Sequence, residues 1–267
     1  MYRSSRFLTR FLLPGVLLVQ VSCTQPPAES NAAFALEQPR LEAPADSSAP
    51  SGYELRPGTD PNGISKYYQG RQIAHVMGHE GSGWLERQDR DEEEGTNILL
   101  RELQLKPTDV VADIGAGTGY FSFRISPLVP QGKVLAVDIQ PEMISALREN
   151  KVRSKARNVE PVLGTTKDPN LPEGTVDVVL IVDAYHEFDH PREMMQAIRT
   201  SLSPTGRVVL AEYRAEDPEV PIKRIHKMSI DQARKEMATV GLEFDKSVEV
   251  LPQQHLIFFH KAEENKL

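Results

Sequence analysis

The sequence predicts an α/β fold: a doubly wound, mostly parallel sheet with helices on both faces and an antiparallel hairpin at its C-terminal end. Three observations predict it. From Val110 onward, short apolar runs alternate with stretches of helical periodicity, as expected of strands joined by covering helices. The first run leads directly into a glycine-rich turn, Gly115-Ala116-Gly117-Thr118-Gly119. The last two runs lie around Pro252-Gln253-Gln254, and an antiparallel hairpin is the simplest use for them.

At the N-terminal end, residues 2–10 carry three arginines and no acid, and Phe11 to Val21 is an apolar run broken by Pro14, Gly15 and Gln20. These are the n-region and h-region of a secretory signal, assigned to residues 1–22. The run is too short to span a bilayer as a helix. Leu18-Val19-Gln20-Val21-Ser22-Cys23 resembles the lipobox of bacterial lipoproteins, which implies an acylated Cys23, a membrane anchor and a periplasmic or outer-membrane location. Gln20 departs from that pattern, where an aliphatic residue is usual. Plain cleavage near Ser22 or Ala28, or no cleavage and a cytoplasmic protein, are the alternatives. Residues 23–51 are rich in Pro, Ala, Ser, Glu and Gln, a composition that buries too little surface to offset chain entropy. They are expected to be a lipid-tethered flexible linker, with the globular part starting near Gly52.

The chain has 267 residues, 26% charged and 39% hydrophobic, which suits one domain with extra terminal segments. Its formal charge is -7, and without the three leader arginines the remainder is more acidic still. An acidic body argues against a nucleic-acid partner, because phosphate binding needs a surplus of Lys and Arg on one face. The single cysteine excludes an internal disulfide and a Cys-rich zinc framework.

Within the globular part, residues 52–105 are expected to form an N-terminal helical cap, with helical character from about Tyr67 to Leu105. Residues 106–267 form the main domain. Its strands are expected at Val110 to Ile114, Val134 to Asp138, Val159 to Leu163, Val176 to Val182, Arg207 to Glu212, Val248 to Leu251 and Leu256 to His260. Helical patterns lie at Tyr120 to Ile125, Glu142 to Lys151, Arg192 to Leu202 and Ile230 to Val240.

A glycine-rich turn between the first strand and first helix, with an acid ending the second strand, is a general nucleotide-binding arrangement. Glycines let the backbone approach the ligand, and a carboxylate at Asp138 accepts hydrogen bonds from ribose hydroxyls. A dinucleotide site wants a glycine where this chain has Tyr120. Asp113, two residues before the first glycine, would repel a phosphate and suit a cationic amino acid moiety. The loop therefore prefers a nucleoside carrying positive charge.

Val110-Val111-Ala112-Asp113-Ile114-Gly115-Ala116-Gly117-Thr118-Gly119-Tyr120 resembles motif I of class I S-adenosylmethionine-dependent methyltransferases. The resemblance continues through Val134 to Met143 and Val176 to Leu180 to Leu202-Ser203-Pro204-Thr205-Gly206-Arg207. It implies a Rossmann-like fold and S-adenosyl-L-methionine as cofactor. By that resemblance Asp113 and the loop residues Gly115, Ala116, Gly117, Gly119 and Tyr120 hold the methionine end, Asp138 the ribose, and Ile139 and Met143 flank the adenine. Asp168 would meet the adenine amino group, although Thr165-Thr166-Lys167-Asp168-Pro169 departs from the commonest spacing. The fourth strand runs into Asp183-Ala184-Tyr185-His186-Glu187-Phe188, the segment that in this family lies near the transferred methyl.

His186 is the candidate base, since an imidazole titrates near neutrality, and Glu187 would orient it or bind a cationic acceptor. The alternative is that both only anchor the loop. His186-Glu187-Phe188-Asp189-His190 also spells a zinc-protease string, but it leaves a strand directly and Pro191 disfavours helix at His190. No metal centre is expected. His75 and His79 beside Trp84 either contact substrate or are polar neighbours of a packed anchor. Tyr213, Arg214, His226 and Lys227 either line an acceptor pocket or belong to a solvated loop.

The leading function is a methyltransferase acting on a small-molecule or protein acceptor. The alternatives are a tethered nucleoside-binding module without turnover and a nicotinamide-dependent oxidoreductase, against which Tyr120 and Asp113 speak.

Overall fold

The computed structural model describes residues 52–262. The expected signal, acylated Cys23 and linker fall on residues 1–51, outside the described residues. No helix among the described residues is long and apolar enough to cross a membrane.

The described chain opens with a three-stranded antiparallel meander, β1 (Tyr53–Leu55), β2 (Gly63–Tyr68) and β3 (Arg71–Ala74). This corrects the helical reading that began at Tyr67. The β2–β3 turn is Gln69-Gly70, both at positive φ (51° and 92°), the backbone that two-residue hairpins need. Asn-Gly would have announced it; Gln-Gly does not. Helical structure starts only afterwards, with α1 (Ser82–Leu85), α2 (Arg90–Glu94) and α3 (Thr96–Glu102).

The main sheet is built from β4 (Val110–Ile114), β5 (Lys133–Asp138), β6 (Val159–Leu163), β7 (Val176–Val182), β8 (Leu202–Arg214), β9 (Lys227–Met228), β10 (Leu242–Val248) and β11 (Gln254–Lys261). The order is β10-β11-β8-β7-β4-β5-β6, with β9 paired to β8. β4, β5, β6, β7 and β8 run parallel. β11 is antiparallel to both β8 and β10, so it is inserted between them and β10 forms the edge. The C-terminal hairpin is thus as expected, but its first strand is Leu242–Val248 rather than Val248 to Leu251. Leu251 instead lies in the connection, buried in the same core cluster as Leu99 and Leu256. β8 is also longer than Arg207 to Glu212, continuing directly from the preceding helix at Leu202.

Both faces are covered, by α4 (Tyr120–Ile125), α5 (Pro141–Ser154), α6 (Pro191–Ser201) and α7 (Ile230–Ala238). Alternation along each strand divides the core. Val111, Ala136 and Leu180 pack with Leu99, Phe121 and Leu147 from α3, α4 and α5. Ala112, Leu135 and Ile181 pack with Met195, Ile198 and Met237 from α6 and α7. Strands buried on both sides need continuous apolar runs, which is why β4, β5 and β7 were legible.

The meander is fastened to the main domain by polar groups. Arg71 forms a two-point ion pair with buried Glu236 of α7 (2.7 and 2.9 Å) and donates to the carbonyl of His186 (3.0 Å).

Candidate active site

The strand order reverses at β4, whose neighbours are β5 and β7, and ligands of open α/β sheets bind at the carboxyl ends around such a point. There the structure has a cavity of about 610 Å³. Its wall takes in Gly115 and Gly117 after β4, Asp138 at the end of β5, Asp183 after β7 and Tyr213 near the end of β8.

The glycine turn is cramped for a structural reason. Gly115, Gly117 and Gly119 all have positive φ. A Cβ on Gly117 would lie 2.5 Å from Leu85 and one on Gly115 2.9 Å from Ala184. Larger residues would fill the cradle as well as strain the turn. Asp138 braces it: one carboxylate oxygen accepts from the Gly117 amide and the other from the Gln140 amide, both at 2.9 Å. Burial pushes its carboxyl upward, against those two amides. Ile139, Gln140 and Met143 continue the wall.

Asp113 lies beneath the loop rather than on the cavity wall. It is buried and accepts a 2.6 Å hydrogen bond from Ser122 of α4. Burial raises its carboxyl to about 6, opposed by Ser122 and by the positive charge of Arg90. Arg90 itself reaches the wall, held by Glu94 at 2.9 Å. Tyr120 also stands behind the wall, its ring under the guanidinium groups of Arg90 and Arg124, and its backbone starts α4 after Gly119. The Asp168 carboxylate turns back to the Asn170 amide at 2.8 Å, and Thr166 lines the cavity in its place. The irregular spacing around that loop is the signal for the difference.

Asp183 is a buried carboxylate in left-handed backbone (φ 47°), a conformation that costs a non-glycine residue about 1–3 kcal/mol and that clusters at functional sites. Oδ2 accepts from Gln254 at 2.6 Å, whereas Oδ1 has no protein partner among the described residues. Burial and the nearby Glu94 and Glu212 push its carboxyl well above the usual range.

His186 and Glu187 occupy a 3-10 turn, Tyr185–Glu187. His186 Nδ1 is 2.7 Å from Glu212 Oε2, and Glu212 Oε1 accepts from the Tyr185 amide at 3.0 Å. Facing the other way, His186 Nε2 lies 3.1 Å from His226 Nδ1 and 3.8 Å from Glu187 Oε1. Glu187 Oε2 accepts from the Met77 amide at 3.1 Å. Burial raises the Glu187 carboxyl; burial and neighbouring His186 lower the His226 imidazole to about 4. The ligand atoms of His186, Glu187 and His226 all lie within 4.8 Å of one another. The protease-like string plays no part in this: after Glu187 the chain is extended at Phe188, and His190 caps α6.

Of the remaining candidates, His75, Trp84, Tyr213 and His226 line the cavity. Trp84 is 52% exposed beneath the Arg87 guanidinium, so it is not a packed anchor. Arg214 instead donates to carbonyls of Leu251 and Gln254, and Lys227 to the carbonyl of Asp217. Sequence reasoning missed Arg90, Gln140 and Glu212. Glu212 carried a signal, an acid at the end of a buried strand beside the sheet's switch point.

Residues 112–208 match the family model described as a methyltransferase domain. An uncharacterized methyltransferase-like protein of Schizosaccharomyces pombe is 32% identical over 134 residues, 50% of this chain and 49% of that protein. An arsenite methyltransferase of Halobacterium salinarum is 32% identical over 109 residues, 40% of this chain and 28% of that protein. The chain thus spans half or less of these relatives' length. A solved S-adenosylmethionine-dependent methyltransferase of Aquifex aeolicus superposes with a TM-score of 0.65 at 22% identity, covering 69% of this chain and 98% of that one.

The fold is that of a Rossmann-like methyltransferase. Residues 112–208 are thus similar to methyltransferase domains, and the solved enzyme that shares the fold depends on S-adenosyl-L-methionine. The residues present suit that cofactor: a cradle that a Cβ would fill, the Asp138 carboxylate on its wall, and the unpartnered buried oxygen of Asp183.

Proposed function

We propose that this chain transfers a methyl group from S-adenosyl-L-methionine to a small-molecule acceptor. The reading is carried by one observation: a single cavity is lined both by the glycine loop with Asp138 and by His186, Glu187 and His226. Its size falls within the range of about 300–1,000 Å³ typical of small-ligand sites. The acidic wall suits a cationic donor.

Gly115, Gly117, Asp138, Ile139, Met143 and Asp183 would hold the cofactor at the wall, with Asp113, Ala116, Gly119 and Tyr120 shaping the loop from behind. When bound, the cofactor supplies an electrophilic methyl on a sulfonium. With Glu212 accepting at Nδ1 of His186, the proton of the imidazole sits on Nδ1 and the Nε2 lone pair faces His226 and Glu187. An acceptor hydroxyl or amine that displaces the His226 contact gives its proton to Nε2. Glu187 stabilises the resulting imidazolium or a cationic acceptor.

Labelled cofactor incubated with the purified chain and cell extract tests this. Label in low-molecular-weight products supports it; label in protein moves the acceptor to a side chain. Tight cofactor binding with no labelled product supports a binding module instead.

The arginine-flanked apolar run and Cys23 support export and a membrane anchor. Mass analysis of the mature N-terminus tests that placement: acylated Cys23 supports it, and an intact Met1 places the domain in the cytoplasm with its cofactor supply.

A further inference from the structure

We propose that His186, Glu187 and His226 hold a divalent transition-metal ion whose open positions face the cavity and take an oxygen of the acceptor. The inference rests on the methyltransferase reading for the acceptor and adds to it a metal site.

Geometry carries the argument. Two nitrogens bound to one ion at about 2.0–2.1 Å stand roughly 2.8–3.0 Å apart at octahedral angles and roughly 3.3–3.4 Å apart at tetrahedral angles. His186 Nε2 and His226 Nδ1 are 3.1 Å apart. Glu187 Oε1 lies 3.8 Å from His186 Nε2, with the ligand atoms of all three residues within 4.8 Å of one another, while its other oxygen is pinned by the Met77 amide. A modest rotation about that pin closes the remaining distance.

The surroundings match those of metal-bound histidine. Glu212 accepts at Nδ1 of His186, the carboxylate that orients a ligating imidazole and fixes Nε2 as the coordinating atom. Arg71 holds the backbone of the same turn through the His186 carbonyl. His226 comes from a separate 3-10 turn, Arg224–His226, after β8, and the two rings meet edge to face at 84°. Three protein ligands leave positions for solvent or substrate, and all three residues line the cavity.

Donor chemistry narrows the ion. Two imidazoles and one carboxylate suit zinc, iron(II), cobalt(II) or nickel(II), whereas magnesium and calcium prefer oxygen alone. With the ion present, His186 is a ligand and not the base. A hydroxyl coordinated to the ion loses its proton to solvent near neutral pH. The oxygen lone pair then forms the bond to the methyl carbon as the carbon–sulfur electron pair leaves on sulfur. The acceptor class is accordingly a phenol, enol or other ionisable hydroxyl.

Equilibrium dialysis of the full chain against Zn(II), Co(II) and Mg(II), with the visible absorption of the Co(II) form, tests the site. One Zn(II) or Co(II) per chain is expected, with a Co(II) band typical of nitrogen and oxygen ligands and no stoichiometric Mg(II). His226→Ala and Glu187→Gln abolish stoichiometric binding, Glu212→Gln weakens it by about ten- to hundredfold, and the remote His260→Ala leaves it unchanged. Calorimetry with S-adenosylhomocysteine on the same samples reports whether each variant is folded and separates the two readings. Retained S-adenosylhomocysteine binding with no bound metal overturns the site, as does metal binding indifferent to His226→Ala and Glu187→Gln. Metal binding without S-adenosylhomocysteine binding upholds the site and overturns the methyltransferase reading.

Discussion

Glu212 Oε2 lies 2.7 Å from Nδ1 of His186, with the carboxylate wholly buried and the imidazole 2% exposed. A charge is buried at such cost only when hydrogen-bonded, and here both carboxylate oxygens are engaged. The pair sets the tautomer and aim of His186. Glu212→Gln is therefore expected to lower methyl transfer by about ten- to hundredfold while changing the Kd for S-adenosylhomocysteine less than about threefold. Kinetics with labelled cofactor beside calorimetry checks this; equal losses in both would make Glu212 a purely structural residue.

His186→Ala should lower transfer further, by about 10²–10⁴-fold, because it removes the base of the metal-free site and a ligand of the metal-loaded one. Cofactor affinity should again hold. Transfer that persists at the native rate would return His186 and Glu187 to a loop-anchoring role.

Asp138→Ala removes the carboxylate that braces the Gly117 amide and faces the cavity. Hydrogen bonds to a charged group contribute about 1.5–3 kcal/mol, so the Kd for S-adenosylhomocysteine should rise by at least about tenfold. Titration calorimetry measures it directly.

Asp113 links folding to pH. Its carboxyl sits at about 6 in the fold against 3.8 ordinarily. Between those values the folded chain keeps a proton that the unfolded chain has lost, so this group makes stability fall as pH rises from about 4 to 6 and contributes no slope above. The effect is bounded by about 3 kcal/mol, at 1.36 kcal/mol per pH unit. Denaturant melts of the native chain and Asp113→Asn across this window should show the variant gaining relative stability toward pH 7. A constant difference contradicts the assignment.

Arg71→Ala removes the ion-pair partner of buried Glu236 and leaves it only the hydrogen bonds from Tyr185 and Gln232. Breaking a buried pair on one side costs roughly 3–5 kcal/mol. The double variant Arg71→Met with Glu236→Met should recover much of this. Chemical denaturation midpoints at unchanged slope are the measurement.

The sheet was legible wherever strands are buried on both faces. Val110–Ile114, Lys133–Asp138 and Val176–Val182 are runs dominated by Val, Ile, Leu and Ala. The meander over residues 53–74 was not, because Tyr67 and Tyr68 mimic a helical face and Gln69-Gly70 is a weak turn signal. β10 was displaced because edge strands such as Leu242-Glu243-Phe244-Asp245-Lys246 are half polar. At the site, motif spacing located the glycine loop, Asp138 and His186. It did not locate Glu212 or Arg90, whose roles come from contacts between distant elements, and it placed Asp168 where Thr166 stands. Asp113 was identified by position, but only the packing of α4 shows that Ser122 takes its carboxylate.

By the proposed function, the cavity at the ends of β4 and β5 accepts a nucleoside bearing positive charge and rejects a pyrophosphate. Titration calorimetry of the purified full chain with S-adenosylmethionine, S-adenosylhomocysteine and NAD tests it most directly. Saturable one-to-one binding of the first two is expected, weakened by at least about tenfold in Asp138→Ala, with no heat from NAD. Binding of NAD with neither of the others would contradict it.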